Sequence, residues 1–154
     1  MKTVYIMMGV PGGGKSTWIH NNISDRYATV SADHFFEDGK GNYAFNPGKL
    51  HLAHKQCSDR YSEALANPEI DTVVVDNTNT KRQFIRPYIL EAQRAGCYVV
   101  IVAIIADIAS AAMRNVHGVP LATIERMHSE MQNTLKLGFP ASWDIKEVIT
   151  VNSL

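Results

Sequence analysis

The chain has no excess of charge of either sign and very little cysteine. Fifteen Lys and Arg residues balance fifteen Asp and Glu residues, so the formal net charge is zero. A broad electrostatic grip on duplex nucleic acid requires a basic surface, and this composition argues against one. The two cysteines, Cys57 and Cys97, form no C-x-x-C pair. We expect both to be reduced thiols in the core.

Long hydrophobic runs are also missing. The longest run, residues 99–106, is too short to span a bilayer. The segment after Met1 enters a predicted strand and lacks the basic and apolar regions typical of a signal peptide. At 154 residues the chain is long enough to bury one core. We therefore expect residues 1–154 to form a single domain of a soluble, cytoplasmic protein that does not bind membranes.

One glycine-rich segment carries most of the functional information. Residues 9–16 read G-V-P-G-G-G-K-S, which matches the phosphate-loop pattern G-x-x-x-x-G-K-S. A predicted strand (residues 3–8) precedes this loop, and a predicted helix follows it, so backbone N–H donors and a helix N-terminus would surround an anion. We predict that the loop binds a nucleoside triphosphate, with Lys15 on the β- and γ-phosphates and the Ser16 hydroxyl on Mg²⁺. The predicted nucleotide-binding residues are Gly9, Val10, Pro11, Gly12, Gly13, Gly14, Lys15, Ser16 and Thr17.

Strands and helices alternate along the rest of the chain. Further strands are predicted at residues 28–31, 71–76, 98–105 and 146–151. Further helices are predicted from Asn46-Pro47 to residue 66, from the turn at 77–80 to residue 95, and at 108–115 and 121–135. This alternation predicts a mainly parallel sheet with helices on both faces. In the helix after Pro47, the apolar spacing predicts a buried stripe of Leu50, His54, Cys57, Tyr61 and Leu65. Pro87 either kinks the next helix or marks its start.

Two aspartates follow predicted strands, where ligands of open α/β sheets bind. Asp76 ends the buried run D-T-V-V-V-D, and a carboxylate at this position of a Walker B strand orients Mg²⁺. Asp33 follows the second strand, from which it could accept the proton of an acceptor hydroxyl during phosphoryl transfer. For both residues the alternative is that the carboxylate caps a turn or helix.

Several polar residues near the same edge are candidate substrate contacts. Asn77, Asn79 and Arg82 follow the Asp76 strand, and Arg82 could contact an anionic substrate or be a solvated surface charge. Arg114 precedes a helical interruption at residues 115–120, which we interpret as a hinged lid. On such a lid an arginine would neutralise charge in the transition state, although a plain surface arginine is the alternative.

Five segments in a fixed order give the chain a family resemblance: G-V-P-G-G-G-K-S-T-W (9–18), S-A-D-H-F-F (31–36), Y-A-F-N-P (43–47), V-V-V-D-N-T-N (73–79) and R-N-V-H-G-V-P (114–120). The chain resembles the kinase half of bacteriophage polynucleotide 5′-hydroxyl kinase. It resembles more closely the AAA-type, P-loop kinase-like domain of ubiquitin-ligase-binding proteins and their microbial relatives. The resemblance implies a five-stranded P-loop NTPase sheet of order 2-3-1-4-5 with a small helical lid, ATP and Mg²⁺ as cofactors, Asp33 as general base and Arg114 as a lid arginine.

The resemblance also directs the functional hypotheses. The leading one is a kinase that transfers the γ-phosphate of ATP to a polynucleotide 5′-hydroxyl, with single-stranded DNA or RNA ends as partners. Alternative acceptors are a hydroxymethylated base in modified DNA and a small nucleoside-like alcohol, and a nucleotide-dependent binding module is an alternative of another class. Phe36 occupies the position of a phosphate-binding arginine in the phage enzyme, and the lid is shorter here, so the 5′-end specificity is open.

Overall fold

A computed structural model describes residues 1–24, 26–115 and 117–153. Within these ranges five strands form one parallel sheet in the order β2-β3-β1-β4-β5. The strands are β1 (Thr3–Met8), β2 (Tyr27–Val30), β3 (Thr72–Val75), β4 (Tyr98–Ala106) and β5 (Glu147–Ser153). The strand order confirms the fold implied by the resemblance, and the parallel pairing confirms the prediction made from the alternation of strands and helices.

Helices cover both faces of this sheet. They are α1 (Lys15–Asn22), α2 (Leu50–Ala66), α3 (Arg82–Arg94), α4 (Ile108–Arg114) and α5 (Leu121–Leu137), with 3-10 turns at Ala32–Phe36, Pro47–Lys49 and Ala141–Trp143. Side chains of β1 point alternately to the two faces of the sheet. Val4, Ile6 and Met8 pack in the cluster that contains α2, α3 and α5 residues, whereas Met7 packs with Ile19 of α1 on the other face. In the described ranges no helix is both long and apolar enough to cross a membrane.

The central strands are buried on both faces, as their sequences predict. Val73, Val74 and Val75 of β3 have no exposed surface, and six consecutive residues of β4 from Val99 are almost completely buried. Continuous apolar strands of this kind need helices on either side, because neither face can contact water without cost. The carboxyl ends of β1, β2 and β3 are therefore held in fixed positions, and these are the ends that carry the candidate site.

Two details of the helices differ from the sequence predictions, and a third decides between two alternatives. The buried stripe of α2 consists of Ala53, Cys57, Tyr61, Ala64 and Leu65. The predicted members Leu50 and His54 are exposed, because the face of α2 that packs in the core includes Ala53 and Ala64. Asn46 caps a 3-10 turn, through its side chain and the N–H of Gly48, before α2 begins. The third helix begins at Arg82 and continues through Pro87, so Pro87 does not mark its start.

Candidate active site

The carboxyl ends of β1, β2 and β3 open into a cleft of about 1450 Å³. Most of the predicted site residues line it, and they come from separate parts of the sequence: Pro11, Gly12, Gly13, Gly14, Lys15, Ser16, Thr17, Asp33, Asp76, Asn77, Asn79 and Arg114. The predicted residues Gly9, Val10 and Arg82 are not among those that line the cleft. The parallel sheet produces this convergence, since all its strands end at the same edge.

The phosphate loop has the backbone geometry that its glycines allow. Gly12 and Gly14 both have positive φ angles, of 73° and 106°, a conformation that costs little only in glycine. A Cβ on Gly12 would lie 2.2 Å from the carbonyl oxygen of Ala111, so α4 lies directly against the loop. The first-turn N–H groups of α1, from Lys15 to Thr17, donate to no acceptor in the part of the chain that the structure describes. They are therefore free to bind an anion.

Lys15 and Asp76 form the electrostatic centre of the cleft. The Lys15 ammonium group donates to the carbonyl oxygens of Gly9 and Val10 at 3.1 and 3.2 Å. Burial lowers the pKa of Lys15, and the nearby carboxylates of Asp76 and Asp33 oppose that shift. Burial likewise raises the pKa of Asp76, against the attraction of Lys15. Each group is thus partly desolvated and compensated by the other.

Asp76 also has an unused oxygen. Its backbone N–H donates to Val30 at 2.8 Å, which fixes the residue at the end of β3. Its buried Oδ1 atom has no hydrogen-bond partner in the described ranges. A buried carboxylate oxygen without a partner is costly unless a cation or a donor satisfies it. Together with the exposed side chain of Ser16, this oxygen is a suitable donor for Mg²⁺, which prefers carboxylate and hydroxyl oxygen.

Asp33 is held at the end of β2 by its neighbours. Its N–H donates to the side chain of Ser31 at 3.1 Å, and the N–H of Ala32 donates to Asn77 Oδ1 at 2.9 Å. The Asp33 side chain is 53% exposed, so a substrate can reach it. Tyr43 donates to Asp33 Oδ1 at 3.3 Å, and burial together with the Asp33 charge raises the pKa of Tyr43 to about 12. The hydroxyl of Tyr43 therefore remains a donor at neutral pH.

The end of α4 and the turn that follows it contact both the phosphate loop and Asp33. Arg114 Nε donates to the carbonyl oxygen of Gly12 at 3.0 Å. The turn that follows is bonded internally, with Asn115 Nδ2 donating to Val119 and the N–H of His117 donating to Asn115 Oδ1. His117 Nε2 lies 4.0 Å from Asp33 Oδ2. Val116, part of the predicted lid, lies outside the described residues.

Three predicted substrate-binding residues have hydrogen bonds within the protein. Asn77 accepts from Ala32 and its Nδ2 lies 3.6 Å from Cys57 Sγ. Asn79 is buried, has a φ of 46°, and donates to the carbonyl of Met7 at 2.8 Å, which ties the end of β3 to the start of the phosphate loop. Arg82 donates to Gly138 and Leu137, the final carbonyls of α5. Of the three, Arg82 is not brought into the cleft.

The cleft also has an aromatic wall, by which we mean a set of apolar and largely aromatic side chains that line it. It is formed by Tyr43, Phe45, Leu50, Phe84, Pro87 and Tyr88. Phe45 and Phe84 are 51% and 45% exposed. Phe36, which stands at the position of the phage arginine, is buried and contacts Phe45 edge to face, so it supports the wall from behind.

Sequence reasoning did not identify Tyr43, His117 or the Glu130 cluster as site residues. Glu130 of α5 accepts from Thr80 and Arg126 at 2.8 and 2.7 Å and lies 3.7 Å from Lys81. These contacts join α5 to the segment after β3. The available signal for Tyr43 and His117 was their place in the segments Y-A-F-N-P and R-N-V-H-G-V-P.

The chain is similar in sequence or in fold to several known proteins. Human NEDD4-binding protein 2 is 28% identical over 153 residues, which cover 94% of this chain but only 8% of that protein. A chain of the Pnkp1/Rnl/Hen1 RNA repair complex superposes with a TM-score of 0.73 at 19% identity, covering 90% of this chain and 46% of that one. A fungal RNA kinase superposes with a TM-score of 0.61 at 14% identity, covering 97% and 38%.

The chain thus spans less than half of each of these relatives, and the structural likenesses establish the fold alone. The family model for AAA_33, an AAA domain, matches residues 4–134. That match covers most of the sheet, the phosphate loop, Asp33, Asp76 and Arg114. The chain therefore belongs to the AAA_33 family of AAA domains and has a P-loop kinase-like fold.

Proposed function

We propose that this protein is an ATP- and Mg²⁺-dependent kinase that transfers the γ-phosphate to a hydroxyl, with a polynucleotide 5′-hydroxyl as the leading acceptor. The observation that carries the proposal is the shared cleft of the phosphate loop and Asp33. A half-exposed carboxylate beside a triphosphate site is the group that acceptor activation needs. The RNA kinase and RNA repair chains with the same fold support a nucleic acid acceptor.

In this proposal each residue has one task. The N–H groups of residues 15–17 and the Lys15 ammonium bind the phosphates, and the Arg114 guanidinium neutralises charge as transfer proceeds. The acceptor hydroxyl gives its proton to Asp33 while its oxygen forms a bond to the γ-phosphorus. The bond from that phosphorus to the bridging oxygen breaks, and ADP leaves. Ser16 and Asp76 would hold Mg²⁺, which when bound neutralises the β- and γ-phosphate oxygens.

A second acceptor class is favoured by the lack of unpaired cations around the aromatic wall. Between Glu37 and Ser58 the residues that line the cleft include no Lys or Arg. Lys81 and Arg126 also line it, but both are paired with Glu130. The first phosphate of a strand that ends in a 5′-hydroxyl would therefore find no unpaired Lys or Arg among these residues. An aromatic wall suits a planar uncharged ring instead, as in a hydroxymethylated base of DNA or a nucleoside-like alcohol.

The two acceptor classes are separated by one labelling experiment. The protein is incubated with Mg²⁺ and ATP labelled at the γ-phosphate. Three acceptors are compared: an oligonucleotide with a 5′-hydroxyl, an oligonucleotide whose 5′ end is blocked by a phosphate and which carries an internal hydroxymethylated base, and free nucleosides. The proposal expects label on a 5′-hydroxyl end. Label on the blocked, base-modified strand or on a nucleoside would favour the second class.

A nucleotide-dependent binding module is the competing function. It would give slow release of labelled inorganic phosphate with every acceptor and no labelled organic product. That outcome would contradict the kinase proposal. A Lys15→Ala variant serves as the control for contaminating kinases, because true transfer depends on the phosphate loop.

A further inference from the structure

The acceptor side of the cleft contains a cluster of three side chains from three separate loops. Asp33 follows β2, Tyr43 lies before α2, and His117 lies between α4 and α5. Tyr43 donates to Oδ1 of Asp33 at 3.3 Å, and His117 Nε2 lies 4.0 Å from Oδ2. The Tyr43 and His117 rings are in contact, with centroids 4.0 Å apart and an interplanar angle of 58°. The two oxygens of the carboxylate thus face different partners.

His117 is fixed more firmly than a surface histidine. Its side chain is only 25% exposed, and its N–H donates to Asn115, which closes the turn through Val119. The Nδ1 atom is buried without a hydrogen-bond partner in the described ranges, and Nε2 is the nitrogen that faces Asp33. The turn thus positions the backbone of His117, and Tyr43 packs against its ring.

The same segment also contacts the donor side. Arg114 binds the Gly12 carbonyl in the phosphate loop at 3.0 Å, and His117 reaches Asp33 a few residues later. A single short segment therefore touches both the residues that hold the phosphate donor and the carboxylate that receives the acceptor proton. Small displacements of a catalytic group are costly, on the order of 100-fold in rate for about 1 Å.

We propose that His117 is a positioning residue that, with Tyr43, orients the Asp33 carboxylate and links the contact of Arg114 with the phosphate loop to the alignment of the base. The inference rests on the proposed kinase function for its kinetic consequence, but not for the contact itself. His117 Nε2 faces Oδ2 of Asp33 at 4.0 Å, while the acceptor hydroxyl approaches the exposed part of the carboxylate.

The test compares His117→Phe, which retains a ring against Tyr43, with His117→Gln, which retains a donor near the position of Nε2. His51→Phe is the matched control, because His51 is exposed and does not line the cleft. In the full chain without nucleotide, the carboxyl carbon resonance of Asp33 is measured by NMR. We expect it to shift in His117→Phe, to return toward the wild-type value in His117→Gln, and to be unchanged in His51→Phe.

Kinetics provide the second readout. We expect kcat at saturating ATP and acceptor to fall about 10- to 100-fold in His117→Phe and to recover in His117→Gln. The KM for ATP should stay within about twofold of the wild-type value. An unchanged Asp33 resonance, equal losses in both variants, or an effect on the KM for ATP alone would overturn the inference. If the wild type labels no acceptor, the proposed function fails, and the Asp33 resonance alone decides the inference.

Discussion

Arg114 Nε donates to the carbonyl oxygen of Gly12 at 3.0 Å, across 102 residues of sequence. This bond joins the end of α4 to the phosphate loop, where Gly12 lacks a side chain that would collide with α4. The guanidinium retains further N–H donors for phosphate oxygens. The bond therefore keeps a cation beside the phosphate loop, at the proposed site of transfer.

Replacing Arg114 with alanine should therefore slow transfer more than it weakens nucleotide binding. We expect kcat to fall by about 100-fold or more, since arginines that neutralise the transition state of phosphoryl transfer contribute on the order of 10³-fold or more. The dissociation constant for ATP, measured by calorimetry, should change by less than about fivefold. Arg60→Ala, a change of an exposed arginine on α2 outside the cleft, is the control. A loss of binding as large as the loss of kcat would contradict this role.

Lys15→Ala should weaken both binding and turnover. The ammonium is desolvated and lies on the loop carbonyls, so its role in binding phosphate does not depend on the acceptor. We expect nucleotide to raise the melting temperature of the wild type and to have little effect on the variant, as measured by thermal denaturation with and without ATP and Mg²⁺. Full activity in Lys15→Ala would exclude the phosphate loop as the nucleotide site.

We expect Asp76→Asn to stabilise the protein without ligand but to weaken the effect of Mg²⁺ on the ATP complex. Burial raises the pKa of Asp76 in the folded state, so the native protein binds more protons than the unfolded chain between the ordinary and the raised pKa. Through this group, stability falls as pH rises across that interval and the cost persists above it. Removing the charge should therefore raise the melting temperature at pH 7.

The same variant should lose the additional stabilisation that Mg²⁺ gives to the ATP complex, because a buried oxygen donor is replaced by an amide. Thermal melts of the wild type and Asp76→Asn, each with ATP in Mg²⁺ or in EDTA, measure both effects. A variant that is destabilised without ligand, or that retains the full Mg²⁺ effect, would argue for a purely structural carboxylate.

The aromatic wall should determine acceptor affinity. Stacking of a base on an aromatic side chain contributes about 1–3 kcal/mol, so Phe45→Ala and Phe84→Ala should each raise the KM for the acceptor about 5- to 150-fold. The KM for ATP should stay near the wild-type value. Tyr27→Ala, which removes an exposed aromatic outside the cleft, should alter neither. Unchanged acceptor KM values in both Phe variants would show that no ring binds there.

The donor half of the site could be predicted from sequence because its signals are local. The spacing of Gly9, Lys15 and Ser16 fixes a loop geometry by itself, and the apolar run before Asp76 identifies a buried strand whose end meets the same edge. Strand order came from resemblance, since alternation alone specifies a parallel sheet but not which strands are neighbours.

The acceptor half could not be predicted in the same way, because tertiary contacts assemble it. Tyr43 and His117 reach Asp33 from two loops whose positions depend on the packing of α2 and α5. The side chain of Arg82 was free to contact substrate on sequence grounds, but the carbonyls at the end of α5 bind it instead. Leu50 and His54 are exposed for a similar reason, since the packing of the chain places Ala53 and Ala64 on the buried face of α2.

The central claim is that Asp33 accepts the proton of an acceptor hydroxyl beside an intact nucleotide site. The most direct measurement is label transfer from ATP by Asp33→Asn, paired with calorimetric binding of ATP and Mg²⁺ to the same variant. General-base catalysis contributes about 10²- to 10⁴-fold. If Asp33 is the base, we expect a loss of transfer of that size, with ATP affinity within about threefold of wild type. Transfer at the wild-type rate, or a loss of transfer fully explained by lost ATP binding, would contradict it.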